Sequence, residues 1–206
     1  MKLHLPITLR RTLLSLLLPV AGISPSMGTD LFENSEETLS FSNNSRRFYY
    51  DLNSSDPPTL LLSFQNNQAI EFLNNSIEKS NGAAISVIPM GYGNSKGQVA
   101  FSGNAGSIKF INNTTTNDGG AIAGGWLRLT FENNLGEIRF ESNHAGSYGG
   151  AISGRSGNVF TFQNNNNIIF LNNSITALDS PSNNYTSVGG AIHTYGTVQF
   201  LSLIHI

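Results

Sequence analysis

The pattern Phe-x-x-Asn recurs nine times along this chain and constrains the fold more than any other feature of the sequence. The position two residues before each Phe holds a large apolar residue, as at Ile108 and Ile138. The residue between the two is often polar, as at Lys109 and Arg139. Side chains two residues apart share one face of a strand, so each copy predicts a short strand with one buried face that ends at an Asn. The nine copies start at Phe41, Phe64, Phe72, Phe101, Phe110, Phe131, Phe140, Phe162 and Phe170.

A second motif, Gly-Gly-Ala-Ile, follows each pair of Phe motifs. It starts at Gly119, Gly149 and Gly189, and "NGAAI" at Asn81 is a degenerate copy. The first Phe of successive pairs is separated by 37, 30 and 31 residues, and Phe200 begins a further copy. Self-similarity at such a period is typical of proteins built from stacked repeats.

We therefore predict an all-β fold, a right-handed parallel β-helix with three strands per coil and repeats of about 30 residues. Equivalent residues of successive coils stack at the strand spacing of ~4.8 Å. Phe then stacks on Phe in the core, and Asn stacks on Asn at the corners, where its amide bonds along the ladder and its backbone tolerates a left-handed conformation. The paired Gly supply positive φ or close backbone approach, and Ala-Ile begins the third strand.

The residues to which we assign a structural or adhesive role are the motif positions from residue 64 onward. They are Phe64, Asn67, Phe72, Asn75, Phe101, Asn104, Phe110, Asn113, Gly119, Gly120, Ala121, Ile122, Phe131, Asn134, Phe140, Asn143, Gly149, Gly150, Ala151, Ile152, Phe162, Asn165, Phe170, Asn173, Gly189, Gly190, Ala191 and Ile192. Exposed residues between the motifs, at 114–118 and 180–185, are better candidates for specific contacts, because loops on a rigid scaffold commonly carry binding.

The amino-acid composition limits the kinds of partner and bound group that we expect for this chain. Only 12% of residues are charged and only 11 are Lys or Arg, so we expect no nucleic-acid partner. The chain has no Cys, which excludes disulfides and Cys-based zinc sites. Its four His, at positions 4, 144, 193 and 205, lack metal-ligand spacing. We therefore expect no metal and no cofactor.

The N-terminal segment has the pattern of a secretory signal. Lys2, Arg10 and Arg11 precede an apolar run at 12–23, which is too short to span a bilayer permanently and is followed by small residues. We assign residues 1–28 to this signal, 29–61 to an irregular N-terminal cap region, 62–200 to the repeat domain and 201–206 to a tail that does not repeat. Repeat arrays need such a cap over the first coil.

Alternating Phe-x-x-Asn and Gly-Gly-Ala-Ile motifs in one exported, Asn-rich chain resemble the chlamydial polymorphic membrane proteins. The resemblance covers roughly residues 39–200. It implies an autotransporter passenger that is displayed on the outer membrane and adheres to host cells through a surface receptor of unknown identity. It also implies a C-terminal β-barrel that anchors the passenger.

The sequence departs from that family at its end. No segment looks like a barrel, and "LSLIHI" after Phe200 matches nothing in the earlier repeats. The expectation is a truncated member that is exported and lies at the cell surface, is secreted or is retained in the periplasm. A non-functional truncated product is an alternative.

A second alternative is a β-helical carbohydrate-active enzyme, which needs clustered carboxylates as acid and base. Asp118 precedes one Gly-Gly-Ala-Ile, but Ser80, Tyr148 and Val188 occupy that place in the other copies. Glu132, Glu137 and Glu141 are close in sequence, yet Glu132 and Glu141 follow the Phe of their strands and should point outward. We therefore favour a solvated acidic face and no enzymatic activity, with no catalytic residues.

Overall fold

A computed structural model describes residues 30–43, 48–53, 59–90, 97–176 and 189–201. The predicted signal at 1–28, Asn44 of the first Phe motif, the loop at 180–185 and residues 202–206 lie outside the described residues. The described part is all-β without helix, and its strands stack in parallel into four sheets, which confirms the predicted parallel β-helix. The right-handed sense of winding stays a prediction from the general rule for parallel crossovers.

Each full coil contributes one strand to each sheet in turn. Sheet 1 contains β1 (Asp30–Glu33), β4 (Thr59–Gln65), β8 (Gly97–Ser102), β12 (Leu127–Glu132), β16 (Val159–Gln163) and β20 (Thr197–Leu201). Sheet 2 contains β2 (Thr38–Ser42), β5 (Ala69–Leu73), β9 (Ile108–Ile111), β13 (Glu137–Glu141) and β17 (Asn167–Leu171). Sheet 3 contains β6 (Ser76–Ile77), β10 (Thr114–Thr115), β14 (His144–Ala145) and β18 (Ser174–Ile175). Sheet 4 contains β3 (Phe48–Asn53), β7 (Ile85–Met90), β11 (Ile122–Gly124), β15 (Ile152–Gly154) and β19 (Ile192–Thr194).

The three predicted strands of each coil correspond to sheets 1, 2 and 4. Sheet 3 is a fourth strand that the sequence did not reveal, because two residues are too few to show alternation. It lies directly after the second Asn of the coil, and its second residue points inward, as with Ile77 and Ala145.

The described residues 30–43 and 48–53 contribute regular strands to a further coil, and the role of this region as a cap stays a prediction. β1, β2 and β3 pair in parallel with β4, β5 and β7, so the described stack begins with this coil. Phe32 stacks on Phe64 at a centroid distance of 4.8 Å, as the Phe motifs do elsewhere. The coil was missed because Ser35 stands where an Asn would complete the motif, and no Gly-Gly-Ala-Ile precedes β3. At the other end, Leu201 belongs to β20 and pairs with Gln163.

The core runs the length of the stack between the sheets. In the three middle coils, at residues 61–87, 97–124 and 127–154, the inward Phe, Leu, Ile and Val of sheets 1, 2 and 4 are almost completely inaccessible to solvent. Alternate residues of strands such as β8, β9 and β12 are buried and half-exposed, as the period of two predicted. Among the described residues, no helix is long and apolar enough to cross a bilayer.

Candidate functional site

The Phe motifs form two continuous stacks inside the coil. In sheet 1, Phe64, Phe101 and Phe131 lie parallel at centroid distances of 4.9 and 4.6 Å. In sheet 2, Phe72 and Phe140 flank Phe110, each at 4.7 Å. The two stacks meet edge-to-face at about 6 Å, an arrangement that matches the preferred geometry of aromatic pairs. These rings are therefore core residues.

The Asn residues of six Phe motifs are buried and each joins three coils; they are Asn67, Asn75, Asn104, Asn113, Asn134 and Asn143. The Asn134 amide nitrogen donates to the carbonyl of Phe101 in the preceding coil, at 3.0 Å, and to the Asn165 side-chain oxygen in the following coil, at 2.9 Å. Its Oδ1 accepts from the backbone N–H and the side chain of Asn104, at 3.1 and 2.8 Å. Two donors and two acceptor sites are thus satisfied, although the side chain is inaccessible.

A second ladder repeats this pattern beside sheet 2, through Asn75, Asn113, Asn143 and Asn173. The left-handed backbone lies one residue earlier than the ladder Asn. Asn133 has φ 54° and Asn112 has φ 54°, and Gly103 and Ser142 take this place in "FSGN" and "FESN". We predicted that one Asn would both bond along the ladder and take the left-handed conformation. In the structure, two adjacent residues share these tasks.

The first Gly of each Gly-Gly-Ala-Ile supplies the positive φ. Gly119, Gly149 and Gly189 have φ values of 66°, 58° and 80°, and Gly82 has 61°. The second Gly lies against the next coil, because a Cβ on Gly120 would lie 2.1 Å from the Gly150 carbonyl oxygen. This alignment places Asn81, and not Ser80, opposite Asp118, whose backbone N–H donates to the Asn81 side chain at 3.3 Å.

The motif residues are therefore mostly unavailable to a partner. Every predicted motif residue of the three middle coils is buried, from Phe64 to Ile152, as are Phe162 and Asn165. In the last described coil, Phe170, Asn173, Gly189, Ala191 and Ile192 are half-buried and Gly190 is exposed. It follows that the motifs build a scaffold and that its outward positions form the surface a ligand would meet.

On sheet 2 the outward positions form a charged stripe. Lys109 Nζ lies 2.9 Å from Glu71 Oε1 in the preceding coil. Arg139 bonds Glu137 at 2.6 Å and Glu141 at 2.9 Å, and these hydrogen bonds, to Glu137 first, raise the pKa of the guanidinium. Glu137 and Glu141 thus face the same arginine, while Glu132 lies on sheet 1. As predicted, Glu132 and Glu141 point outward, and the three carboxylates do not converge.

Outside sheet 4, five polar and aromatic side chains from three coils come together: Asp118, Tyr148, Arg155, His193 and Tyr195. We call them the aromatic–arginine patch. Arg155 donates to Asp118 Oδ2 from Nη2 at 3.1 Å and from Nε at 3.4 Å. His193 stacks on Tyr148 at 4.7 Å and meets Tyr195 edge-to-face at 5.0 Å.

Burial determines the direction in which the pKa of His193 shifts within the patch. Loss of solvent lowers the pKa of His193 below its ordinary value of 6.5, and the nearby Asp118 opposes that change. His193 Nδ1 is inaccessible and has no hydrogen-bond partner among the described residues. Burial therefore disfavours the charged form of the ring.

Sequence reasoning placed only Asp118 among candidate contacts and missed the patch, whose residues come from three successive repeats. A signal was present. With the repeats aligned, His193 stands where the three preceding coils have Ser153, Ala123 and Ser86 and the first coil has Tyr49. No group of acidic and His side chains that could hold a metal occurs within the described ranges.

Two segments of the chain, residues 107–125 and 137–155, match the model of the Chlamydia polymorphic membrane protein repeat. Each begins at or just before a strand of sheet 2 and continues through the Asn ladder, sheet 3 and the Gly-Gly-Ala-Ile corner into sheet 4. The chain carries this family's repeat. The match confirms the resemblance drawn from the motifs. Searches of curated proteins and of solved structures find no match.

In this chain, each matched segment runs from sheet 2 to sheet 4 within one coil. The matched segments contain Asp118, Tyr148 and Arg155 as well as the buried motif residues. The family whose repeat matches is one of membrane proteins and is not a family of enzymes.

Proposed function

We propose that this chain is an exported passenger protein of the polymorphic membrane protein type, displayed at the outer-membrane surface or secreted, and that it adheres to host cells through a surface receptor. The observation that carries the proposal is the match to the repeat at 107–125 and 137–155. The basic and apolar pattern of residues 1–28 supports export.

The scaffold supports a binding role. Burial of the repeated Phe, Asn and Gly leaves the outward residues free to differ from coil to coil without altering the core. One column of sheet 2 shows this freedom, since Glu71, Lys109, Arg139 and Ile169 are paired neighbours of different charge and polarity. A rigid support with varied outward side chains is an arrangement that proteins commonly use for recognition.

Adhesion is tested by adding the purified, fluorescently labelled full chain to cultured epithelial cells and measuring bound fluorescence. We expect saturable binding that excess unlabelled chain displaces. A matched control is the variant Phe110→Ala/Phe140→Ala, which has the same surface charge but a damaged core. Binding that does not saturate, or that is equal for the damaged variant, would contradict adhesion by the folded chain.

Display is tested separately. Protease is added to intact bacteria that express the chain, and its cleavage is followed by immunoblot beside a periplasmic marker. We expect the chain to be cleaved, or recovered from the medium, while the marker stays intact. Full protection together with the marker would contradict surface display or secretion.

A further inference from the structure

The aromatic–arginine patch departs from the repeat at several positions at once. Residue 155 follows the pair Gly124–Gly154 and is therefore equivalent to Gly125, while Tyr195 occupies the same column one coil later. His193 replaces Ser153 of the preceding coil. Residues that recur maintain the coil, whereas these two columns vary: one holds Tyr49, Ser86, Ala123, Ser153 and His193, and the other holds Asp51, Ile88, Gly125, Arg155 and Tyr195, so no particular side chain is required there for stacking. The convergence of Arg155, His193 and Tyr195 on one surface calls for another explanation.

The Arg155 guanidinium is held on one side by Asp118 and is exposed to solvent on the other. Its side chain is 70% exposed, whereas the Asp118 side chain that it contacts is only 7% exposed. Two guanidinium donors, Nε–H and one on Nη2, are directed to Asp118 Oδ2. A guanidinium has five N–H donors, so three remain for a ligand. The buried carboxylate thus orients a cationic fork that faces solvent.

Tyr195 stands beside this fork. Its backbone N–H donates to the Gly154 carbonyl at 3.2 Å, so Tyr195 lies one coil spacing, ~4.8 Å, from Arg155. The ring is 71% exposed, yet it contacts the His193 ring, which itself stacks on Tyr148. The patch therefore presents an aromatic surface of restricted freedom next to a positioned positive charge.

We propose that this patch binds a saccharide that carries a carboxylate, and the proposal deepens the adhesive function proposed above, on which it rests. The apolar C–H face of a pyranose ring packs on Tyr195, because aromatic rings offer a large flat apolar area with a polar edge. The saccharide carboxylate accepts hydrogen bonds from the free donors of Arg155, whose planar fork matches carboxylate geometry.

The fold favours a saccharide over an extended peptide. Strand addition beside Arg155 is blocked, because β15, which leads into Arg155, is paired on both sides, with β11 and β19; β19 is the last described strand of sheet 4, and the acidic peptide in the test below covers addition there. Tyr195 and Arg155 project from the outer surface, an arrangement suited to a short ligand that touches a few side chains.

The experiment is an NMR titration of the full chain with 3′-sialyllactose, with neutral lactose and with an acidic peptide in parallel. The resonances of His193 and Tyr195 report on the patch. We expect saturable shifts of both with sialyllactose, and a dissociation constant at least about tenfold higher for lactose, because a hydrogen bond to a charged group is lost.

The variants Arg155→Lys and Tyr195→Ala should each weaken sialyllactose binding by about tenfold, since Lys keeps the charge but lacks the fork. Arg128→Lys is the matched control, because Arg128 is an exposed arginine on sheet 1, outside the patch, and its change should leave binding unaltered. Circular dichroism checks that each variant is folded.

Four results would overturn the proposal. They are the absence of shifts at His193 and Tyr195, equal affinity for lactose, tighter binding of the peptide, and an equal loss in Arg128→Lys. Cell binding separates the two proposals. If the chain adheres to cells and Arg155→Lys adheres equally well, adhesion stands and the saccharide site fails. If the chain binds sialyllactose but no cell, the adhesive function fails.

Discussion

The buried Asn residues hold successive coils in register. Replacing Asn134 by Ala should destabilise the fold by about 2 kcal/mol or more, because the Phe101 carbonyl and the donors of Asn104 lose buried partners. Asn133→Ala is the matched change at the adjacent exposed residue, where φ is 54°, and should cost ~1 kcal/mol from left-handed strain. Urea unfolding measures both, and equal midpoints would contradict the ladder.

His193 gives the fold a dependence on pH. Burial lowers its pKa, so the unfolded chain binds a proton more readily than the folded chain. The stability contributed by the neutral ring is present above the unfolded value of about 6.5 and decreases as pH falls through the folded pKa. Asp118, Tyr148 and Tyr195 are its polar and charged neighbours, Arg155 bonds Asp118, and Asp118 reduces the effect.

We therefore expect the melting temperature to fall more between pH 7.5 and 5.5 for the natural chain than for His193→Gln. His144→Gln is the control, because His144 lies on sheet 3 and bonds Ser174 and Thr176 through its two ring nitrogens. If His193→Gln keeps the full pH dependence of the natural chain, the neutral, desolvated ring is ruled out as its source.

At the scale of one strand, β9 assigns opposite roles to adjacent residues. Phe110 is fully buried between Phe72 and Phe140, so Phe110→Ala should cost ~3–5 kcal/mol. Lys109 points outward and bonds Glu71 at a half-exposed site, so Lys109→Ala should cost under about 1 kcal/mol. Chemical denaturation compares them, and similar losses would mean that the strand faces are assigned incorrectly.

The glycines of different Gly-Gly corners differ in the space that an added side chain would have. Gly149 has φ 58°, and a Cβ there would lie 2.1 Å from the Ile152 carbonyl oxygen, so Gly149→Ala should destabilise by more than ~1 kcal/mol. Gly190 has its nearest atom at 3.4 Å, so Gly190→Ala should be tolerated. Thermal unfolding distinguishes the two. Equal tolerance at both positions would remove the argument that the first Gly is needed for its backbone conformation.

At the scale of the whole molecule, the structural features that recur with the coil period could be predicted from the sequence. The Phe and Asn columns, the corner glycines and the strands of sheets 1, 2 and 4 follow from spacing, since side-chain alternation and the coil period determine which residues stack. Where the pattern lapses, the prediction fails. Because Ser35 replaces the motif Asn, the first coil was not predicted. The Ser35 backbone N–H nevertheless donates to the Asn67 side chain at 3.1 Å, as the backbone N–H groups of the ladder Asn residues do to theirs.

The candidate site was less predictable for the same reason. Arg155 and Asp118 are 37 residues apart and meet only because the coils stack. Spacing shows which column a residue occupies, but the direction of a long side chain such as Arg155 depends on its neighbours in adjacent coils. The unusual residues could be recognised from aligned repeats, whereas their contacts required the structure.

The central claim is that residues one repeat apart are neighbours in parallel register, and cysteine cross-linking tests it directly. The chain has no Cys, so introduced pairs have no competitor. Lys109 pairs with Arg139, and Arg139 with Ile169. Lys109→Cys/Arg139→Cys should form a disulfide on mild oxidation, because paired Cα atoms at ~4.8 Å fall within disulfide range. Lys109→Cys/Ile169→Cys should not, because two coils separate the Cα atoms by ~9.6 Å. Mass spectrometry that finds the first cross-link and not the second is the result predicted here; the second forming as readily, or the first failing in the folded chain, would contradict the stacked parallel coil.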